Sequence, residues 1–141
     1  MDRLLPDNIR SNWPLIKRAM SLSLPPVYRE SEKLYNSVLD RLMDGSMQCW
    51  LEVENGELYN VVITELLQDL HNEESQLLLF TLTGFKEMTR QQWFNGYRAL
   101  TAYAKSVGAS RIVAYTDEPA LVQRIQSFGG NARFYLSLEV N

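Results

Sequence analysis

Four carboxylates in the middle of the chain are the side chains best suited to take up a proton: Glu52, Glu54, Glu65 and Asp69. Glu65 is the strongest of them, because it interrupts the apolar run Val61-Val-Ile-Thr-Glu-Leu-Leu67. A carboxyl group enclosed by apolar side chains has a raised pKa, which suits a general base but also occurs in structural ion pairs. The sequence leaves both interpretations of Glu65 open, and the structural one is the more common.

Two other reactive side chains, His71 and Cys49, are expected to have no catalytic role. His71 is the only histidine and lies in a polar turn, so we expect a surface position and no histidine pair for a metal ion. Cys49 is the only cysteine, which excludes an internal disulfide, and its place in an apolar strand pattern predicts a buried core residue. Neither a phosphate loop nor a serine elbow nor a metal motif is present.

The composition excludes several classes of function. The 141 residues carry a formal net charge of −3, and 45% of them are hydrophobic, which is typical of one soluble globular domain. An acidic chain has no overall attraction to nucleic acid, and no apolar run is long enough to span a membrane. The first residues also lack the apolar stretch of a signal peptide. We therefore expect a protein of the reducing cytoplasm.

The first half of the chain predicts two helices and then an antiparallel hairpin. Pro14 suits the first turn of a helix over Trp13–Met20, and Ser31 is a good N-cap for a second helix that ends at Gly45. Two strands follow on either side of Asn55-Gly56, a pair that is the strongest short signal for a hairpin turn. The apolar residues of the second helix recur at four-residue spacing: Leu34, Val38 and Leu42.

The second half predicts alternating strands and helices. The strands are Leu77–Thr83, Arg111–Thr116 and Ala132–Val140, and the helices between them are Thr89–Val107 and Pro119–Phe128. Such an order implies a right-handed β-α-β crossover. The apolar stripe of the long helix is expected to contain Trp93, Tyr97, Leu100, Ala104 and Val107.

These elements predict an α/β (α+β) fold in one domain, with a mixed central sheet flanked by helices. The expected order is α-α-β-β-β-α-β-α-β. Within the single domain 1–141 we expect an N-terminal helical segment at 1–30 and a core at 31–141.

The second half resembles the fold of the GCN5-related N-acetyltransferases (GNAT), whose central sheet opens to admit acetyl-coenzyme A. Leu77–Thr83 corresponds to the strand that splays, Thr89–Val107 to the helix after it, and Arg111–Thr116 to the next strand. Pro119–Gly130 is similar to the family's following helix, which ends in a glycine. The resemblance covers the order of elements over about the last 95 residues and is a resemblance of fold.

The chain departs from that family at the positions that carry its chemistry. The family's cofactor loop usually reads Gln/Arg-x-x-Gly-x-Gly/Ala, and its glycines let backbone amides approach the pyrophosphate. Here the loop Gly84–Arg90 keeps one glycine and places Glu87 where the resemblance puts the pyrophosphate. Many members have a tyrosine four residues before the glycine that ends the short helix; Ile125 or Gln126 stands there. The family's first strand is also expected to be missing.

These departures favour a fold that has lost acetyl transfer and works without a cofactor. Leu121–Gly130 in particular is similar to small, degenerate acetyltransferase-like proteins that tailed bacteriophages encode among their virion-assembly genes. That resemblance implies a non-catalytic protein of the bacterial host cytoplasm or of the virion. Its expected partners are other protein subunits, including phage structural proteins and further copies of this chain, with no nucleic acid and no membrane span. Aromatic residues such as Phe94, outside the core stripe, fit a protein interface.

The alternative is a divergent N-acetyltransferase that depends on acyl-coenzyme A. In that case the resemblance implies that Thr83, Gly84, Lys86 and Arg90 hold acetyl-coenzyme A, and Glu65 is the candidate base. No metal site is expected under either interpretation.

Overall fold

A computed structural model describes residues 1–69, 71 and 73–140. The elements, in chain order, are β1 (Asp2–Arg3), α1 (Pro6–Ser11), α2 (Trp13–Leu22), α3 (Glu32–Asp44), β2 (Met47–Glu54), β3 (Glu57–Gln68), β4 (Ser75–Gly84), α4 (Arg90–Ser106), β5 (Ala109–Ala114) and α5 (Pro119–Ser127). No helix in this described part of the chain is both long and apolar enough to cross a bilayer.

The described strands form one mixed sheet in the order β1-β2-β3-β4-β5. The pairs β1–β2, β2–β3 and β3–β4 are antiparallel, whereas β4 and β5 are parallel. Because parallel neighbours need a crossover, α4 connects them across one face of the sheet. The predicted fold class, a mixed sheet flanked by helices in a single domain, is therefore confirmed.

The two ends of the chain differ from the prediction. Asp2 and Arg3 pair with Leu51 and Trp50, so a short first strand is present where we expected none. At the other end, 131–140 forms no strand, although Ala132–Val140 alternates as a strand would. Alternation decides which side chains share a face, but it does not supply a hydrogen-bonding neighbour.

Local turn and cap signals in the sequence are confirmed. Asn55 and Gly56 both have positive φ, 53° and 76°, as a tight hairpin turn between β2 and β3 requires. Ser31 accepts a hydrogen bond from the Leu34 amide at the start of α3, and Gly45 ends that helix at φ 89°. These residues set the hairpin turn and the ends of α3 locally, whereas the register beyond the turn shifts at a bulge between Glu52 and Val53.

Two apolar clusters lie on opposite faces of the sheet, since successive strand residues point to opposite sides. The larger cluster packs α1, α2 and α3 against one face and includes Ile16, Met20 and Val38. The smaller cluster packs α4 against the other face through Leu100 and Val62. The expected burial of Cys49 is confirmed, and burial raises the pKa of its thiol to about 12.

The buried stripe of α4 agrees with the prediction at Leu100 and Ala104 and differs from it in the first turns of the helix. Gln92, Gly96, Leu100 and Ala104 are buried at four-residue spacing, whereas Tyr97 is exposed. Volume explains the shift: the Oε1 atom of Glu52 lies 3.2 Å from the position of a Cβ on Gly96, so a small residue faces the sheet there. The aromatic residues instead face α5, where the ring of Tyr97 stacks on Phe128 at 4.5 Å.

Candidate functional site

Strands β4 and β5 separate part-way along their length. The parallel pairing runs from Ser75 with Ala109 to Leu79 with Ala114, and residues 80–84 of β4 have no described strand on that side. On its other side, β4 carries an extra residue, because Ile63 pairs with Thr81 and Thr64 pairs with Leu79. Such a bulge bends a strand and increases its twist, which turns the end of β4 away from β5.

The separation opens a cavity of about 510 Å³, which we call the β4–β5 cleft. Its wall is formed by the end of β4, the segment after β5, the loop between α2 and α3, and the first turns of α5. Backbone N–H and C=O groups of residues 80–84 that would bond a neighbouring strand are open to this space. The cleft is lined, among others, by Leu24, Leu82, Gly84, Lys86, Glu87, Tyr115, Asp117, Glu118 and Arg124.

Charged side chains in the lining of the cleft are mainly acidic. The lining contains three carboxylates and two cations: Glu87, Asp117 and Glu118 are the carboxylates, and Lys86 and Arg124 are the cations. Lys86 is already paired, its Nζ lying 3.3 Å from a carboxylate oxygen of Glu57, and the Arg124 guanidinium lies 5.8 Å over the ring of Trp93. Coulomb's law therefore favours a cationic group over a free anion at this opening.

The four residues implied as cofactor ligands lie in different environments. Thr83 is buried and donates its hydroxyl to the carbonyl of Ala19 at 2.7 Å, so it anchors α2 to the sheet. Gly84 and Lys86 line the cleft, whereas Arg90 is exposed at the start of α4, outside the described lining. Whether any of them binds a cofactor stays a prediction.

Helix α4 begins with a capping box. The Thr89 hydroxyl accepts from the Gln92 amide, and the Gln92 side chain accepts from the Thr89 amide. Two of the amides that a helix N-terminus offers are thereby used. The amides of Arg90 and Gln91 are left to bind solvent or a ligand.

Glu65 lies on β3, outside the described lining of the cleft. It pairs with Leu78, in the part of β4 that is still bonded to β5, and its carboxylate accepts a hydrogen bond from the Arg41 guanidinium. Burial raises the pKa of this carboxyl group, and Arg41 opposes the rise. This arrangement favours the structural interpretation, and a role of Glu65 as a base stays a prediction.

Several residues of the cleft were missed by the sequence analysis. Tyr115, Asp117 and Glu118 follow β5 and enter the lining because β5 ends beside the widening gap. Their types carry no signal on their own, since polar residues after a strand are common in loops. The β-α-β pattern could have found them, because ligands of such sheets bind beyond the carboxyl ends of the strands.

Another of the four carboxylates, Glu52, belongs to a buried network between the sheet and α4. Its two oxygens accept from the Tyr59 hydroxyl and the Asn60 side-chain amide, both at 2.8 Å. Burial and the hydrogen bond to Glu52 raise the pKa of Tyr59, so the phenol stays protonated and keeps donating. Glu52 and Asn60 also line a second cavity of about 510 Å³ beneath α4 and α5.

No metal centre is found among the described residues. These residues contain no group of three or more His, Cys, Asp and Glu side chains arranged to hold an ion. His71 is exposed, as expected, and its backbone amide donates to a carboxylate oxygen of Asp69 at 2.9 Å.

Solved structures of similar shape show which fold the chain has. A predicted acetyltransferase of Clostridium acetobutylicum, solved with acetyl-CoA, superimposes with a TM-score of 0.71 over 99% of this chain and 94% of its own, at 13% identity. The chain has the GNAT fold. A ribosomal-protein-alanine N-acetyltransferase of Brucella melitensis matches with a TM-score of 0.66 over 99% of this chain and 97% of its own, at 13% identity.

An aminoglycoside acetyltransferase from an uncultured soil metagenomic sample also has this GNAT fold, with a TM-score of 0.68 over 99% of this chain and 95% of its own, at 14% identity. No family model matches the sequence, and no curated protein matches it significantly. The likeness is therefore one of GNAT fold, spread over nearly the whole length of each chain.

Proposed function

We propose that this chain is an acyl-coenzyme A-dependent N-acyltransferase that binds the thioester in the β4–β5 cleft and transfers the acyl group to an amine. The observation that carries the proposal is the open edge of β4 at residues 80–84, which faces a cavity of about 510 Å³. The proposal is also supported by the full-length likeness to acetyltransferase structures.

The open edge of β4 suits the central part of coenzyme A. The pantetheine arm contains two amide groups, and an extended chain of amides can add to a free strand edge as a further strand does. A backbone N–H at the same edge can stabilise the negative charge that develops on the thioester oxygen during attack. The protein thus supplies both binding and charge stabilisation through its backbone, which needs no particular side chain.

In the proposed reaction Glu87, Asp117 and Glu118 attract a cationic amine, which first gives one proton to water. The free amine nitrogen attacks the thioester carbonyl, the C–N bond forms, the nitrogen loses a second proton to water or to a carboxylate of the lining, and the C–S bond breaks. The departing thiolate takes a proton from Tyr115, the phenol of the described lining, and the phenolate regains a proton from water. Tyr115 would then take the role for which the short helix offers only Ile125 and Gln126.

The phosphate end of coenzyme A fits the cleft less well than the pantetheine. Glu87 and Asp117 line the cleft, and their negative charges oppose the binding of a phosphate there, while Arg90 and Gln91 lie outside the described lining. We therefore expect the phosphate end to add little to the binding of coenzyme A or of its thioesters. The affinity then comes mainly from the pantetheine arm.

The test is calorimetric titration with acetyl-coenzyme A and coenzyme A, followed by an amine screen that measures thiol release. We expect saturable binding and thiol release that requires an amine. A Tyr115→Phe variant should bind as the wild type does but release thiol at least tenfold more slowly, with Tyr103→Phe on α4 as the matched control. Absence of binding at millimolar ligand would overturn the proposal.

The phage assembly role implied by resemblance is a separate prediction. The solved structures compared above carry acetyltransferase names, which supports the enzyme in preference to a structural protein. A protein that fails the binding test but co-purifies with capsid or tail proteins would support the assembly role instead.

A further inference from the structure

One side chain in the lining of the β4–β5 cleft has a polar atom that the fold leaves unbonded. Thr81 of β4 is buried, with 3% of its surface exposed, and its Oγ1 atom has no hydrogen-bond partner among the described residues. A buried hydroxyl without a partner destabilises the folded protein, and native structures contain few of them. Such a group indicates a partner that comes from outside the chain.

The other buried threonines of the sheet differ from Thr81 in bonding and in position. Thr64 donates its hydroxyl to the side-chain oxygen of Gln48 at 2.7 Å and accepts from the indole N–H of Trp50 at 2.9 Å. Thr83 donates to a backbone carbonyl of α2 at 2.7 Å. Neither of them belongs to the described lining of the cleft, whereas Thr81 does. The unbonded hydroxyl is thus carried by the buried threonine that borders the cleft.

Thr81 lies at the narrow end of the cleft. Leu79 and Ala114 form the last pair between β4 and β5, and Thr81 is the second residue of β4 beyond that pair. The bulge in β4 lies there too, because Ile63 pairs with Thr81 while the next residue of β3 pairs with Leu79. Tyr115 follows Ala114 directly, so Thr81 and Tyr115 lie on the two sides of the gap where the strands begin to separate.

We propose that the Thr81 hydroxyl donates a hydrogen bond to the carbonyl oxygen of the bound acyl thioester. This proposal rests on the binding of acyl-coenzyme A in the β4–β5 cleft, and it assigns a side chain to the reacting carbonyl. Because the bulky phosphate end of coenzyme A needs the wide end of the cleft, a pantetheine arm along residues 80–84 brings its thioester to the narrow end. Thr81 then bonds the carbonyl oxygen, while Tyr115 serves the sulfur of the same group.

A hydroxyl at this place suits the charge that forms during the reaction. When the amine attacks, the carbonyl oxygen gains negative charge, and the hydrogen bond from Thr81 becomes stronger at that moment. The donor is held in place beforehand, since Thr81 is buried and a β-branched side chain has few rotamers. Thr81 keeps its proton throughout, so the proton transfers of the proposed reaction are unchanged. Removal of one such donor typically lowers kcat about 100- to 1,000-fold.

The experiment compares Thr81→Val, which keeps the shape of the side chain and removes the hydroxyl, with Thr81→Ser, which keeps the hydroxyl. Thiol release from acetyl-coenzyme A is measured with an amine and, as a second readout, in the slower reaction with water. Both rates should fall about tenfold or more in Thr81→Val, and Thr81→Ser should recover most of the loss. The affinity for coenzyme A, which has no thioester carbonyl, should be the same in both variants and in the wild type.

Thr64→Val provides a matched control that needs no ligand. It makes the same change at a buried hydroxyl that is bonded, so it should lower the midpoint of thermal unfolding, whereas Thr81→Val should raise it. An unchanged or lower midpoint for Thr81→Val overturns the proposal, because the hydroxyl then has a partner already. So does thiol release by Thr81→Val at the wild-type rate. A wild-type protein that does not bind acetyl-coenzyme A overturns the proposed function itself, and this proposal with it.

Discussion

A carboxyl group among apolar residues can be a catalytic base or half of an ion pair, and Glu65 shows what decides between them. Its strand neighbours have the apolar character that the sequence indicates, but Arg41 pairs with it from α3. The partner lies far along the chain, so no local pattern could reveal it. Its place on β3, opposite the part of β4 that is still bonded to β5, was equally hidden, because the point where β4 and β5 separate depends on a bulge opposite Ile63 and Thr64.

The raised pKa of Glu65 predicts a pH dependence of stability. Because burial outweighs Arg41, the folded protein binds this proton more tightly than the unfolded chain does. As pH rises through the ordinary value of 4.5 towards the raised one, the unfolded chain loses its proton first, and the free energy of unfolding decreases. Glu65→Gln should remove this decrease.

Urea unfolding at about pH 4 and pH 7 measures the effect. Relative to the wild type, Glu65→Gln should be more stable at the higher pH than at the lower. Glu57→Gln, at an exposed position on the same strand, is the control and should follow the wild type. An equal offset at both pH values would show that the carboxyl group is not perturbed.

Among the helices, α5 is attached least firmly. It has no buried residue along Pro119–Ser127, all of which the structure describes, and its contacts to α4 are Phe128 on Tyr97 and Arg124 over Trp93. Few buried contacts mean a low free energy of local opening. We predict that the amides of α5 exchange with deuterium faster than those of α3.

Phe128→Ala should accelerate exchange in α5 at least tenfold further and leave α3 unchanged. Phe94→Ala removes an exposed ring from the neighbouring helix and serves as the control. Because Glu118 and Leu121 line the β4–β5 cleft, Phe128→Ala should also weaken acyl-coenzyme A binding. Equal exchange in α5 and α3 would contradict this account of the packing.

The order of the elements from α2 to α5 could be predicted from the sequence, but elements and boundaries that depend on distant partners could not. Helices α3 and α4 carry their own caps, and the β2–β3 hairpin carries its own turn. Strand β1 has two residues and exists because β2 pairs with it, so no periodicity could indicate it. The predicted stripe of α4 is confirmed at Leu100 and Ala104 but is wrong in the first turns, because the space beside Gly96 is filled by Glu52, a residue of another element.

At the scale of the whole molecule, charge predicts how salt affects the proposed ligand. The chain has a net charge of −3, and three carboxylates face two cations in the β4–β5 cleft. Acyl-coenzyme A is polyanionic, so the field of the protein opposes its approach and salt screens that repulsion. Binding should strengthen about twofold or more between 50 and 300 mM salt, unlike binding to a basic site.

Calorimetric titration across these salt concentrations checks the prediction. Glu87→Gln should strengthen acyl-coenzyme A binding at low salt and make the affinity depend less on salt concentration. Glu57→Gln frees Lys86 from its ion pair and so measures the effect of that cation on binding separately. Binding that weakens with salt would mean that Lys86 and Arg124 dominate the electrostatics of the cleft.

The burial of Cys49 has a practical consequence. The thiol lies in the larger apolar cluster with its pKa raised to about 12, and it is the sole cysteine of the sequence. A reagent that attacks thiolates can reach it only when the sheet and the helices over it come apart. The rate at which such a reagent labels Cys49 would therefore measure how often the core opens, and no probe has to be introduced by mutation.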